Sequence, residues 1–228
     1  MVKQLKHIFF DLDHTLWDFD KNAELAFERI FLENKIDLPI KTFIEVYNPI
    51  NQAYWKLYQV NKVSHDELRY GRLKDSFEAC QLTISDDRIA KISDDFIAYL
   101  PLNNHLIEGT IETLDYLRDK YELHIITNGF AHVQESKMVN ANLNRFFNTI
   151  TNSEKAGYKK PHQNIFQYAL DVAHAQKQES IMIGDSWEAD VEGALKFGMQ
   201  AIYFNPHNTQ VTKEIIQIEK LIELQNIL

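Results

Sequence analysis

Short, continuous runs of apolar residues that end in polar or acidic residues recur along this chain. Four runs are clear, and a weaker one covers 149–151; the clear runs are His7–Phe10, Leu123–Ile126, Ser180–Ile183 and Gln200–Phe204. Each is too short for a helix, and apolar residues that do not alternate with polar ones indicate strands buried on both faces of a parallel sheet. Because helical patterns lie between the runs, the sequence predicts a doubly wound α/β domain.

One long segment interrupts this alternation directly after the first strand. Between 18 and 104 the sequence shows only helical patterns. Helices are predicted around 23–31, with Asp20 as N-cap, and over 41–58, 64–80 and 86–100. The helix over 64–80 begins with a capping box formed by Ser64 and Glu67. We therefore predict an all-helical domain at 18–104, inserted into a core made of 1–17 and 105–228. The end of the chain, 214–228, is predicted as a short edge strand and a final helix.

The helical insert is the expected source of substrate specificity. It contains an aromatic group, Tyr54, Trp55 and Tyr58, followed by Arg69 and Arg72. A flat ligand such as a base can stack on an aromatic ring, and an arginine can bind a carbonyl or an anionic group. The alternative interpretation, which we favour, is that the aromatic group is the core stripe of a helix and that the arginines are solvated.

Charge and composition limit the possible partners. The chain has 24 Lys and Arg against 33 Asp and Glu, a net charge of −9, which argues against binding a nucleic-acid polymer. No apolar run approaches the ~20 residues of a membrane-spanning helix or the ~7–15 of a secretory signal. The single cysteine, Cys80, fits a reducing compartment. We expect a cytoplasmic protein, monomeric or homodimeric, that does not bind membranes. The acidity does not exclude a small phosphorylated metabolite as partner, because one metal ion can reverse the field in a cleft.

Polar residues collect where the predicted strands end. In an open parallel sheet, ligands bind outside the carboxyl ends of the strands. Candidate site residues follow four of the predicted strands. They are Asp11, Asp13 and Thr15 after the strand at 7–10, Thr127 and Asn128 after that at 123–126, Lys160 after the weak strand at 149–151, and Asp185 and Asp190 after that at 180–183. The histidines, by contrast, are scattered and show no metal-ligand spacing such as His-x-x-x-His.

Phosphoryl transfer through an aspartyl phosphate is the chemistry that needs this set. Asp11 is the predicted nucleophile, and Asp11 with Asp185 offers the hard oxygen ligands that suit Mg²⁺. Lys160 and Thr127 are expected to hold phosphate oxygens, with the backbone N–H of Asn128 as a further donor. Asp13 can protonate the leaving alkoxide and then deprotonate the hydrolytic water. The Thr15 side chain is expected to shape the loop through a hydrogen bond.

The order of these motifs resembles the haloacid dehalogenase-like superfamily. The motifs are Asp-x-Asp-x-Thr from residue 11, Thr-Asn from 127, Lys-Pro from 160 and Gly-Asp-x-x-x-x-Asp from 184. The resemblance implies a Mg²⁺-dependent phosphatase whose helical insert is a C1 cap. It also implies that Asp13 offers its backbone carbonyl to the metal and that Asp190 orients a metal-bound water or Lys160. Dehalogenases of the superfamily lack the second aspartate, so Asp13 favours the phosphatase branch.

Three details resemble the pyrimidine 5′-nucleotidases within that superfamily. They are the run 127–130 (Thr-Asn-Gly-Phe), Lys160-Pro161 followed by Ile165-Phe166, and the run from Gly184 to Asp190. The resemblance implies a 5′-nucleotidase acting on nucleoside 5′-monophosphates. Phosphatases of phosphoglycolate or sugar phosphates share most of these residues, so they stay open as alternatives. Two further alternatives remain: a phosphomutase of the β-phosphoglucomutase type and a non-enzymatic binding module.

Overall fold

The computed structural model describes residues 5–211 and 213–228, so the first four residues of the predicted core lie outside the described residues. The chain divides into two compact units. One unit ends at Asp18 and resumes over His105–Leu228, and the other is Phe19–Asn104. The predicted boundary at 17/18 lies one residue from this division.

A parallel sheet forms the centre of the first unit. Its strands within the described residues are β1 (His7–Phe10), β2 (Glu122–Thr127), β3 (Thr149–Asn152), β4 (Ser180–Gly184), β5 (Gln200–Phe204) and β6 (Gln217–Ile218). They lie in the order β3-β2-β1-β4-β5-β6, and every neighbouring pair is parallel. The doubly wound sheet predicted from the apolar runs is confirmed. The edge strand expected near the end of the chain is β6, and a 3-10 helix at Leu221–Asn226 follows it.

The second unit is entirely helical. It comprises α1 (Phe19–Asn34), α2 (Ile40–Gln59), α3 (His65–Ala79) and α4 (Asp86–Tyr99). The capping box at the start of α3 is present, since the Ser64 hydroxyl accepts from the Glu67 N–H and the Glu67 carboxylate accepts from the Ser64 N–H. Asp20 is not the N-cap of α1, because the helix already begins at Phe19. Its carboxylate lies in the first turn, where the helix dipole still favours a negative charge.

Arg72 corrects the interpretation of the insert's arginines. Arg69 pairs with Asp94 near the surface, but Arg72 is only 2% exposed. Its guanidinium donates to the Asn51 side chain at 2.9 Å and lies 5.1 Å from the centre of the Phe96 ring. Burial lowers the pKa of Arg72. The favoured expectation of two solvated arginines is therefore wrong for Arg72, because the aromatic core of the insert covers its planar side chain.

Helices and short turns connect the strands of the first unit. They are α5 (Thr110–Arg118), α6 (Ala131–Asn140), α7 (Ser153–Ala156), α8 (Gln163–Ala173) and α9 (Gly193–Phe197), with a π-helical segment at Trp187–Glu192. The Ser186 side chain caps that segment, and Gly198 ends α9 with a φ of 90°. Among the described residues, no helix combines the length and apolarity that crossing a membrane requires.

Candidate active site

The candidate site lies where the strand order of the sheet reverses. The chain runs outward from β1 to β2 and β3, and then returns to place β4 on the other side of β1. Such a switch point opens a crevice at the carboxyl ends of the two central strands. Asp11 follows β1 and Asp185 follows β4, so both reach this crevice. Carboxylate oxygens of Asp11, Asp185 and Asp190 lie within 4.8 Å of one another.

Lys160 joins two of these carboxylates. Its ammonium lies 2.5 Å from Asp11 Oδ1 and 2.6 Å from Asp190 Oδ1, and it donates to the carbonyl of Ile126 at 2.7 Å. The lysine is 2% exposed. Although burial alone would lower its pKa, the Asp11 and Asp190 carboxylates raise the pKa of Lys160, so the side chain carries a positive charge.

Asn128 fixes the backbone of Lys160. The Asn128 amide donates to the Lys160 carbonyl at 2.9 Å, and its oxygen accepts from the Lys160 N–H at 2.8 Å. These two bonds hold the loop that carries Lys160 against the end of β2. The phosphate contact predicted for Asn128 involved its backbone N–H and stays a prediction, whereas the side chain has this separate positioning role.

Thr15 holds Asp185 in place. Its hydroxyl donates to Asp185 Oδ1 at 3.0 Å and accepts from the Asp185 N–H at 3.1 Å. Both bonds are compatible because a hydroxyl has one hydrogen and two lone pairs. The sequence predicted a loop-shaping bond for Thr15, and the structure identifies its partner as Asp185, which is 170 residues further along the chain.

A close backbone approach explains Gly184, the residue before Asp185. A Cβ atom at this position would lie 2.2 Å from Asp190 Oδ2, which is shorter than any allowed van der Waals contact distance. The same Asp190 oxygen accepts from the Ser186 N–H at 3.0 Å. Because glycine has no Cβ atom, the Asp190 carboxylate can lie against the backbone at the end of β4 while it contacts Lys160.

The site holds more negative than positive charge. Burial raises the pKa of Asp11, and the Asp190 and Asp185 charges raise it further, while Lys160 opposes them. Burial and the Asp190 charge likewise raise the pKa of Asp185 to about 7. When all three carboxylates are ionised, Lys160 offsets one of the three charges. A divalent cation would offset the remaining two.

The donor set fits Mg²⁺. This ion prefers oxygen ligands and one or two carboxylates, and it keeps several waters. Asp11 supplies a buried carboxylate and Asp185 a half-buried one beside the crevice, and the buried Asp190 adds a third to the cluster. Both oxygens of Asp190 are engaged, Oδ1 by Lys160 and Oδ2 by the Ser186 N–H. Asp11 and Asp185 each have one oxygen engaged in this way, Asp11 by Lys160 and Asp185 by Thr15, so they are the carboxylates most available to a metal ion. The metal contact predicted for Asp13 concerned its backbone carbonyl and stays a prediction.

Asp13 follows Asp11 by two residues and has partners of its own. Lys137 contacts Asp13 Oδ1 at 2.6 Å, and the amide of Gln134 donates to Asp13 Oδ2 at 2.8 Å. Gln134 also donates to the hydroxyl of Thr127 at 2.7 Å. Each oxygen of the Asp13 carboxylate thus has a fixed donor, and Gln134 links Asp13 to the end of β2.

Gln134 and Lys137 are site residues that the sequence analysis missed, because no helix was predicted over α6. The buried residues of α6 are Val133, Gln134, Lys137 and Met138. They follow helical spacing, but two of the four are polar and interrupt the apolar stripe on which a helix prediction depends. One signal could have located them. It is a glutamine and a lysine, three residues apart, on the buried face of a helix that follows the Thr-Asn motif.

The chain matches a family model and is similar to several known proteins. A family model described as haloacid dehalogenase-like hydrolase matches residues 8–204. The chain is 29% identical to the pyrimidine 5′-nucleotidase PynA of Streptococcus pneumoniae, covering 96% of this chain and 94% of PynA. It is 35% identical to a glyceraldehyde 3-phosphate phosphatase of Pyrococcus abyssi, covering 88% and 81%. The crystal structure of YfnB from Bacillus subtilis bound to magnesium superposes with a TM-score of 0.89 at 27% identity, covering 99% of both chains.

Proposed function

Because this chain belongs to the haloacid dehalogenase-like hydrolase family, we propose that it is a Mg²⁺-dependent phosphatase that hydrolyses nucleoside 5′-monophosphates through an aspartyl phosphate. The observation that carries the proposal is the cluster of Asp11, Asp185 and Asp190 at the switch point of the sheet, in which the buried Lys160 pairs with Asp11 and Asp190. The likeness to PynA supports the nucleotide as substrate. We also propose that the chain acts in the cytoplasm, a reducing compartment that its single cysteine, Cys80, fits.

The first half-reaction transfers the phosphoryl group to the protein. A carboxylate oxygen of Asp11 forms a bond to phosphorus, and the bond between phosphorus and the nucleoside 5′-oxygen breaks. Asp13 gives its proton to the departing alkoxide. Lys160 and Thr127 stabilise the charge on the phosphoryl oxygens. When bound by Asp11 and Asp185, Mg²⁺ would neutralise the repulsion between carboxylate and phosphate and orient the attack.

The second half-reaction returns Asp11 to its starting state. The Asp13 carboxylate takes a proton from a water molecule as the water oxygen bonds to phosphorus. The bond between phosphorus and the Asp11 oxygen breaks, and inorganic phosphate leaves. Lys137 and Gln134 act throughout as positioning residues, because they act through Asp13, whose two oxygens they hold.

A small sugar- or triose-phosphate phosphatase is the second candidate function. It is favoured by the 35% identity to the glyceraldehyde 3-phosphate phosphatase of Pyrococcus abyssi. Both candidates use the same carboxylates and lysine, so the reaction is common to them and only the leaving alcohol differs. A dehalogenase is disfavoured because Asp13 is present to serve the leaving alkoxide.

A phosphate-release screen tests the proposed function. Nucleoside 5′-monophosphates, glyceraldehyde 3-phosphate, phosphoglycolate and hexose phosphates are each incubated with the protein, in Mg²⁺ and in excess EDTA. We expect Mg²⁺-dependent release of phosphate, with the highest kcat/KM for a pyrimidine nucleoside 5′-monophosphate. Preference for glyceraldehyde 3-phosphate would select the second candidate. No release from any ester, or isomerisation of a hexose phosphate without release, would refute the phosphatase.

Replacing Lys137 by methionine tests the positioning of Asp13. We expect kcat/KM for a nucleoside monophosphate to fall about 10- to 100-fold, because its alkoxide needs the Asp13 proton to leave. For p-nitrophenyl phosphate, whose phenolate leaves without a proton, we expect kcat/KM to change less than about 3-fold. Lys155→Met removes an exposed lysine from the same unit and is the matched control. An equal loss with both substrates would mean that Lys137 supports the fold and does not position Asp13.

A further inference from the structure

A second group of metal-ligating side chains lies at the amino ends of β1 and β2, opposite the candidate active site. His7 is the first residue of β1 and pairs in register with Glu122, the first residue of β2, while Phe9 pairs with His124. Because side chains alternate between the faces of a strand, these four residues project from one face of the sheet. The register therefore places two histidines and a glutamate together, although the histidines are 117 residues apart in sequence.

The distances within this group match those between the ligands of one metal ion. His7 Nδ1 lies 3.2 Å from His124 Nε2, and 3.8 Å from Glu122 Oε2. Two nitrogens bound to Zn²⁺ at ~2.0–2.1 Å in tetrahedral geometry lie about 3.3 Å apart. The Glu122 side chain is 58% exposed, so it can swing the short distance that a shared ion requires. The three ligand atoms already lie within 4.8 Å of one another.

Neighbouring residues hold His124 in a metal-binding orientation. Its other ring nitrogen, Nδ1, lies 2.9 Å from the Thr149 hydroxyl, and its ring stacks on Phe9 with centres 4.5 Å apart. A hydrogen bond from Nδ1–H to this hydroxyl leaves the lone pair of Nε2 directed at His7. Metal-binding histidines commonly donate their second N–H to such a partner, which fixes the tautomer and the ring.

We propose that His7, Glu122 and His124 bind a divalent transition-metal ion, with Zn²⁺ as the expected occupant and water completing the coordination. Two imidazoles and one carboxylate suit Zn²⁺, Ni²⁺ or Cu²⁺, whereas Mg²⁺ prefers oxygen ligands alone. The site is separate from the proposed magnesium site: Asp11 lies four residues beyond His7, about 13 Å along the strand. A bound ion would join β1 to β2 and so stabilise the unit without taking part in phosphoryl transfer.

Zn²⁺ titration of the full chain tests this proposal. Calorimetry is performed in excess Mg²⁺, so that the carboxylates of the candidate active site are occupied, and is repeated with His7→Gln and Glu122→Gln. His207→Gln removes an exposed histidine elsewhere and is the matched control. A parallel titration of Asp185→Asn separates this site from the proposed magnesium site.

The expected result is saturable binding of one Zn²⁺ in wild type, His207→Gln and Asp185→Asn, with a higher melting temperature when Zn²⁺ is present. His7→Gln and Glu122→Gln should each weaken binding at least about 10-fold, while phosphatase activity in Mg²⁺ stays within about 2-fold. If His7→Gln does not fold, Glu122→Gln decides, since its side chain is largely exposed. Absence of saturable binding in wild type, or unchanged affinity in Glu122→Gln, would overturn the proposal.

Discussion

Asp11→Asn is expected to abolish phosphate release while the protein stays folded. The amide has the size of the carboxylate but lacks the anionic oxygen that attacks phosphorus. Loss of a nucleophile that acts together with its neighbours costs several orders of magnitude, so we expect kcat for p-nitrophenyl phosphate in Mg²⁺ to fall at least about 10³-fold. The Asp119→Asn variant, which changes a largely exposed aspartate in the same unit, should keep wild-type activity.

The fold is expected to tolerate Asp11→Asn because the site carries a surplus of negative charge. Asp190 stays in contact with Lys160, so the ammonium keeps a carboxylate partner. Removal of one of three neighbouring carboxylates relieves repulsion, and the melting temperature in metal-free buffer should equal or exceed that of wild type. Retention of most activity by this variant would rule out Asp11 as the nucleophile.

Lys160→Met is expected to lower both activity and stability. The substitution leaves Asp11 and Asp190 buried without their shared cation and removes a donor to the phosphoryl oxygens. We expect kcat/KM to fall about 10²- to 10³-fold, as for loss of one oxyanion donor. Breaking one partner of a buried ion pair should lower the free energy of unfolding by about 3–5 kcal/mol. Chemical denaturation and steady-state kinetics measure the two effects.

Two further variants sharpen the Lys160 test. Lys159→Met changes the adjacent lysine, which does not directly precede Pro161, and should alter kcat/KM by less than about 3-fold. Adding Asp190→Asn to Lys160→Met removes one uncompensated carboxylate. The double variant should therefore regain part of the lost stability without regaining activity. A larger loss from Lys159→Met than from Lys160→Met would show that the sequence argument selected the wrong lysine.

The strands could be predicted because burial on both faces leaves a direct record in the sequence. Continuous apolar runs located β1, β2, β4 and β5, and the topology of a parallel sheet then placed Asp11, Asp185 and Lys160 at one edge. The convergence of these residues followed from where the strands end. No contact between individual side chains had to be known.

The features that sequence missed depend on polar groups inside the fold. Helix α6 escaped prediction because Gln134 and Lys137 occupy its buried face, where they hold Asp13. Arg72 was expected in solvent, yet it lies among aromatic rings with Asn51 as partner. His7 and His124 meet only through strand register. Hydrophobic periodicity carries no information on such contacts. Some of them place a polar side chain on a buried, otherwise apolar face, and others join residues that are distant in sequence.

The aspartyl phosphate itself is the most direct test of the proposed reaction. The protein is mixed with substrate and Mg²⁺, quenched in acid within one turnover, digested and analysed by mass spectrometry. We predict that the peptide containing Asp11 gains the mass of one HPO3 group, that hydroxylamine removes it, and that Asp11→Asn never shows it. Rapid phosphate release with no labelled Asp11 peptide, or a label on another residue, would contradict the account.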